Sequence, residues 1–226
     1  MPTFIFKTTL TIMHRIKIDI ISDVVCPWCI VGYKRLELAI KMLEIENLVD
    51  IAWHPFEINP NMPKAGENLN EHIISKYGTN LEAFTQKKEM LTNYGAEHGF
   101  AFNFTESTKI YNTLELHVLL DYAKKLNKQT DLKLEFFNSY FTKNLDISNN
   151  EVIKNILTTV GLDANQAMAT LSNTAAKQNI KDQENYWQQL GVSSVPTIVF
   201  NNTMALTGAQ PTDTFKETLN SLIKKA

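Results

Sequence analysis

Cys26-Pro27-Trp28-Cys29 holds the residues whose type and spacing speak most directly of chemistry in this chain. Two thiols separated by two residues meet the needs of thiol–disulfide exchange: one attacks a disulfide as the thiolate, and the other displaces the mixed disulfide that results. The same spacing is also half of a zinc site. Zinc would require two further ligands, but there is no other cysteine, and His14, His54, His72, His98 and His117 show no His-x-x-x-His spacing. Redox chemistry is therefore the stronger reading.

The elements around the pair must place it at a helix N-terminus. Ile16-Lys17-Ile18-Asp19-Ile20 alternates as a strand does and leads into Ser22-Asp23-Val24-Val25. Beyond Cys29, the residues Ile30, Tyr33, Leu36, Ile40 and Leu43 recur at helical spacing, with Lys34, Arg35, Glu37, Lys41 and Glu44 on the other faces. Cys26 then faces unpaired backbone amides and the positive end of the helix dipole, which lower a thiol pKa below its usual ~8.5. Cys29, one turn inside, is expected to be less exposed. Cys26 is thus the expected nucleophile and Cys29 the resolving thiol. Pro27 fits an early helix position because no needed hydrogen bond is lost there. Pro27 and Trp28, as the intervening residues, tune the redox poise. Trp28 has two open readings, a packing aromatic or a substrate contact.

The remaining pattern completes a sheet around a long insertion. Val49 to Phe56 reads as a second strand, so strand–helix–strand implies a parallel βαβ unit. Asn59-Pro60-Asn61-Met62-Pro63 breaks regular structure as a linker. From about Asn68 to Ala176 the periodicity is helical throughout, carried by Leu81, Phe84 and Leu91, then Ile110, Leu114, Val118 and Tyr122, then Val152, Ile156 and Val160. Phe100, Phe102 and Phe104 alternate as a strand would, but are expected to pack the insertion. His54 and His117 are read as partly buried, satisfied histidines. Gln178 to Gln189 reads as a helix ending at Gly191. Thr197–Phe200 and Met204–Leu206 form a hairpin across Asn201-Asn202-Thr203, and Thr212 or Asp213 is expected to cap a closing helix. The fold class is α/β, a thioredoxin-like fold with a large inserted α-helical domain. Its expected parts are an optional extension over 1–12, a sheet domain over 13–63 and 177–226, and an inserted helical domain over 64–176.

Composition narrows the partners. The 226 residues are 44% hydrophobic and 20% charged, ordinary globular values. With 22 basic against 24 acidic side chains, no overall field favours nucleic acid or an anionic membrane. Met1 to Ile12 lack the pattern of a signal peptide, and no apolar run approaches the ~20 residues of a membrane span. No structural disulfide framework is available, since both cysteines lie in one motif, and the expected location is cytoplasmic.

Ser22-Asp23-Val24-Val25-Cys26-Pro27-Trp28-Cys29, Trp53-His54-Pro55-Phe56-Glu57-Ile58-Asn59-Pro60 and Gly191-Val192-Ser193-Ser194-Val195-Pro196-Thr197 closely resemble the DsbA-like oxidoreductases of the FrnE type. Tyr111-Asn112-Thr113-Leu114 and Gly208-Ala209-Gln210-Pro211 also resemble that family. The matches keep family order from about residue 15 to the C-terminus. The resemblance implies a Cys26/Cys29 redox pair and a cis-proline at Pro196, with Val195 offering its backbone to an extended substrate. The same superfamily holds kappa-class glutathione transferases and hydroxychromene-carboxylate isomerases, which have serine at the position matching Cys26 and bind glutathione. By that resemblance Asn59 and the Ser194-Val195 backbone are positions for a glutathione-like ligand, although an asparagine in Asn-Pro-Asn is more often only a turn residue. The expected function is a thiol–disulfide oxidoreductase acting on protein disulfides or small-molecule thiols as monomer or homodimer. No tightly bound cofactor or metal is expected, with glutathione the candidate co-substrate. The alternatives are a glutathione-dependent transferase or isomerase and a non-catalytic redox-sensing binding protein.

Overall fold

The computed structural model describes residues 15–224, so the expected extension over 1–12 and the start of the first segment at Met13 and His14 lie outside the described residues. Strand β1 (Ile16–Ser22) is followed by helix α1 (Pro27–Met42) and strand β2 (Val49–Pro55). A short strand β3 (Glu67–Asn68) opens a long helical segment: α2 (Leu69–Tyr77), α3 (Leu81–Glu97), a second short strand β4 (Lys109–Ile110), α4 (Leu114–Lys124), α5 (Gln129–Phe137), α6 (Asn150–Thr159) and α7 (Ala164–Ala169). Helix α8 (Thr174–Gln189), strands β5 (Thr197–Phe200) and β6 (Met204–Thr207) and helix α9 (Thr212–Ile223) close the chain.

The main sheet has the order β2-β1-β5-β6. Strands β1 and β2 are parallel, while β5 is antiparallel to both β1 and β6. The βαβ unit and the hairpin thus form as their periodicity requires. Ile16, Ile18, Ile20 and Ile21 are all buried, as expected of a central strand covered on both faces. Helices α1 and α9 pack together, and α5 and α8 lie against β2. In the hairpin, Asn201 and Asn202 both take positive φ, a conformation that asparagine tolerates better than most residues. Gly191 also has positive φ, at +91°, where α8 terminates.

Helices α2, α3, α6, α7 and α8 start at Asn68, Asn80, Asn149, Asp163 and Asn173, each of which accepts a backbone amide with its side chain. Helix α8 begins at Thr174, so the boundary expected between residues 176 and 177 falls inside a helix. Strand β2 forms one edge of the sheet. Gln129 of α5 covers it at Trp53: its Oε1 accepts the Trp53 amide at 3.0 Å and its Nε2 donates to the Trp53 carbonyl at 2.9 Å.

The chain departs from its sequence pattern in three places. Ile110 is not helical, because it pairs with Glu67 in the β3–β4 ladder. The segment before it is irregular rather than helical, with Phe102 stacked on Phe104 at 5.4 Å and meeting Phe141 edge-on at 5.2 Å. Ring packing there overrides helical spacing. Neither Thr212 nor Asp213 caps α9: Pro211 occupies the cap position with no side-chain hydrogen bond, and Asp213 lies in the first turn. Among the described residues, no helix is long and apolar enough to cross a membrane.

Candidate active site

The end of β1 delivers the loop that carries both cysteines. Cys26 is the N-cap of α1, in extended geometry with φ −92° and ψ 109°, and Pro27 follows at the first helical position. The Cys29 amide donates to the Cys26 carbonyl at 3.1 Å, closing the first turn. Opposite, the Val195–Pro196 peptide bond is cis, and the Val195 carbonyl lies 3.7 Å from Cys26 Sγ. Pro196 is held from the far side by the Gly208 amide, which donates to its carbonyl at 2.7 Å. Helix α1 approaches this loop closely at Gly32, where a Cβ would stand 3.2 Å from Pro196 Cγ and 3.3 Å from Ala209 Cα.

Cys26 is only 4% exposed and Cys29 not at all. Their difference is one of direction: Cys26 lines a groove of about 370 Å³, and Cys29 is absent from its walls. Pro27, Trp28, Asn59 and Val195 line the same groove, so most of the residues expected at the site converge there. Pro196 is buried behind Val195, and Ser194 is exposed outside the groove with its carbonyl accepting the Thr197 hydroxyl at 2.8 Å. Trp28 lies 6.1 Å from Tyr94 of α3, so its ring both packs and borders the groove. Asn59 accepts from His72 Nε2 at 3.2 Å and from Lys76 Nζ, while its own Nδ2 is buried without a partner.

Beneath the sulfurs lies a buried ionisable cluster. Lys133 of α5 is buried with its Nζ 3.5 Å from the Ser22 carbonyl and over the rings of Trp53 and Phe137. Burial pushes its pKa down to about 8, against the pull of Cys29, Asp23 and Cys26. Asp23 accepts the Ile58 amide at 2.8 Å and faces His117 Nε2 at 3.4 Å. That Asp23–His117 pair is a close contact without hydrogen-bond alignment, since neither facing atom is otherwise satisfied. Burial works against the Asp23 charge, but His117, the Ile58 amide and Lys133 outweigh it and hold its pKa below the usual carboxylate value. Burial also lowers the His117 pKa, in spite of Asp23. Close by, the Glu57 amide donates to Glu184 at 2.6 Å, and burial together with Glu184 and Asp23 raises the Glu57 carboxyl to about 7.

The two thiols titrate as one unit. Burial opposes a charge on Cys29, but the hydrogen bond from Cys26, the Lys133 charge and the Ser22 hydroxyl outweigh it and lower its pKa. Cys26 is pushed well up, first by its hydrogen bond to Cys29, then by burial and by the Cys29 charge. The amides at the start of α1 act the other way, favouring charge on Cys26. Any single thiolate on the pair is therefore shared between two adjacent sulfurs, and a second is strongly disfavoured.

Sequence reasoning missed Lys133, Glu57, Glu184 and Gly32. The lysine sits between Leu132 and Leu134 on a helix of weak amphipathicity and gives no signal of burial. Gly32, alone within an apolar helix, does carry one, since an isolated helical glycine marks close packing.

A dithiol capping a helix on a four-stranded mixed sheet, with a long helical insertion, defines the DsbA-like class of thioredoxin folds. The chain belongs to the DSBA-like thioredoxin domain family, whose profile matches residues 17–220. Members of that family are disulfide oxidoreductases or isomerases. Among particular relatives, the chain is 26% identical over 214 residues to the uncharacterized protein YwbO of Bacillus subtilis (strain 168), covering 93% of this chain and 98% of YwbO. The crystal structure of the probable DsbA oxidoreductase SCO1869 from Streptomyces coelicolor superposes with a TM-score of 0.88 at 26% identity, over 94% of this chain and 92% of that one. The cytosolic disulfide reductase DsbM from Pseudomonas aeruginosa, in its structure with GSH, shares the fold at a TM-score of 0.64 and 15% identity, over 92% of this chain and 99% of that one.

Proposed function

We propose that the protein is a FrnE-type dithiol–disulfide oxidoreductase working through a mixed disulfide on Cys26. The observation that carries this reading is the asymmetry of the pair: Cys26 borders the groove, and Cys29 is sealed behind it beside Lys133. As a disulfide enters, the Cys26 proton passes to the Cys29 thiolate, and the freed Cys26 thiolate attacks one substrate sulfur. The substrate S–S bond breaks and the first thiolate leaves. Cys29 then loses its proton to solvent, the Lys133 ammonium beside it favouring the thiolate, and attacks Cys26. The Cys26–Cys29 disulfide forms as the second thiolate leaves, so two electrons pass to the substrate. The reverse sequence oxidises a dithiol. Val195 presents its backbone beside the reacting sulfur. Glutathione is the proposed soluble co-substrate that restores the starting redox state, and the proposed location is the cytoplasm.

A Cys29→Ser variant should accumulate a covalent adduct with a disulfide substrate, visible by intact mass and released by dithiothreitol. If no adduct formed and Cys26 reacted no faster than a free thiol, the reading would be wrong.

A further inference from the structure

The groove beside Cys26 has a charge pattern that the exchange chemistry does not require. Its walls are apolar, built from Trp28, Leu69, Ile73, Phe84, Leu91 and Phe141. Lys76, Lys87, Lys88 and His72 also line it, whereas no aspartate or glutamate does, in a chain where acidic side chains outnumber basic ones by 24 to 22. The partners of Lys76 and Lys88 are neutral oxygens: Lys76 donates to the Ile58 carbonyl at 3.0 Å and to Asn59, and Lys88 to the Asn70 side chain at 3.1 Å. Outside the lining, the carboxylate of Glu67 reaches His72 Nδ1 at 2.7 Å, and that of Asp23 accepts the Ile58 amide at 2.8 Å from beneath the groove. Asn59 Nδ2 adds a buried donor with no partner. At about 370 Å³ the groove falls in the size class of small-ligand sites.

Resting on the exchange reading above, we propose that the groove selects a small thiol or disulfide whose apolar, ring-sized body carries an anionic group such as a carboxylate. The apolar body lies against the aromatic wall with its sulfur at Cys26. The anion meets the lysines of α2 and α3. Exchange proceeds as written above: the reduced Cys26–Cys29 dithiol gives two electrons to a bound disulfide, which leaves as two thiolates, and the pair becomes a disulfide.

Single-turnover reaction of the pre-reduced full chain tests this. The probes are dithiobisnitrobenzoate, an aryl disulfide bearing carboxylates, dithiodipyridine, a neutral aryl disulfide, and oxidised glutathione, which is anionic but polar. Each rate is divided by that of the same probe with dithiothreitol, which cancels intrinsic reactivity. The carboxylated probe should exceed the neutral one by about tenfold at low salt. Replacing Lys76, Lys87 and Lys88 together by Gln should collapse that ratio. The single exposed change Lys87→Gln, which spares folding, should lower it in the same direction.

Equal normalised rates for the two aryl probes, or a ratio unmoved by Lys87→Gln, would overturn the proposal while leaving disulfide exchange standing. A higher normalised rate for oxidised glutathione would overturn the apolar part and indicate a polar peptide occupant. If no probe reacted faster with the protein than with dithiothreitol, the exchange reading itself would fall.

Discussion

Lys133 places its ammonium 3.5 Å from the carbonyl oxygen of Ser22, so a residue of the helical insertion supplies the positive charge beneath the thiols. A buried lysine rarely persists without a partner, and here its negative neighbours are Asp23 and the shared thiolate. Charge and proton transfer at the dithiol therefore depend on packing between segments distant in sequence.

Lys133→Met keeps the side-chain volume but removes the cation that faces Asp23 and the dithiol, so it should lower stability by about 3 kcal/mol, the cost of breaking one side of a buried charge pair. It should raise the pKa of Cys29, because the cation that lowers it is gone. Stopped-flow measurement of the second thiolate release across pH should show the profile displaced to the alkaline side. Superimposable profiles would remove Lys133 from the mechanism.

Glu57 gives stability a pH dependence of definite sign. Its carboxyl titrates at about 7 in the fold against an ordinary 4.5, so the folded state holds this proton more tightly than the unfolded chain does. Its contribution is fully present below about 4.5, falls as pH rises through that interval, and levels off above about 7. Glu57→Gln, which keeps the shape and can still pair with Asn112, should match the parent in thermal unfolding at low pH and exceed it above neutrality. An equal difference at all pH values would count against this assignment.

Gly32→Ala sets two effects against each other. Alanine favours helix by about 1 kcal/mol over glycine, but its methyl group would lie 3.2 Å from Pro196 Cγ and 3.3 Å from the Ala209 backbone. The expected outcome is little change in melting temperature with slower exchange, as the Val195 carbonyl moves relative to Cys26. Parallel calorimetry and single-turnover kinetics would separate the two, and a variant with parental exchange rate would refute the contact argument.

Phe102→Ala should destabilise by about 3 kcal/mol, the lower end for a buried aromatic truncation. Phe102 is buried and meets Phe100, Phe104 and Phe141. Because Phe104 and Phe141 also line the groove, reactivity toward aryl disulfides should fall with stability. Urea titration against the parent checks the first effect. A loss under about 1 kcal/mol would mean that the rings repack.

The parts legible in the sequence were those with a strong local period or a fixed chemical spacing. The isoleucines of β1, the hairpin around Asn201-Asn202 and the Cys26–Cys29 spacing each encode their structure within a few residues. Lys133 was not legible because its burial comes from long-range packing of α5 against Ser22 and Trp53. Ile110 misled for a related reason: its helical spacing runs on into Leu114 and Val118, while two residues of strand pairing decide its shape. Phe100, Phe102 and Phe104 alternate as a strand would, and they pack with Phe141 as expected without pairing in a sheet. The cis bond before Pro196 came from resemblance, since a trans bond is the default for any X–Pro pair.

The side-chain amide of Gln129 occupies both hydrogen-bonding groups of Trp53, much as a neighbouring strand would. It works as a molecular plug: a second copy or an unfolded chain cannot extend the sheet past β2 at that point without first displacing it. With this flank covered, one glutamine restricts where another chain could add a strand to the sheet, and so contributes to colloidal behaviour.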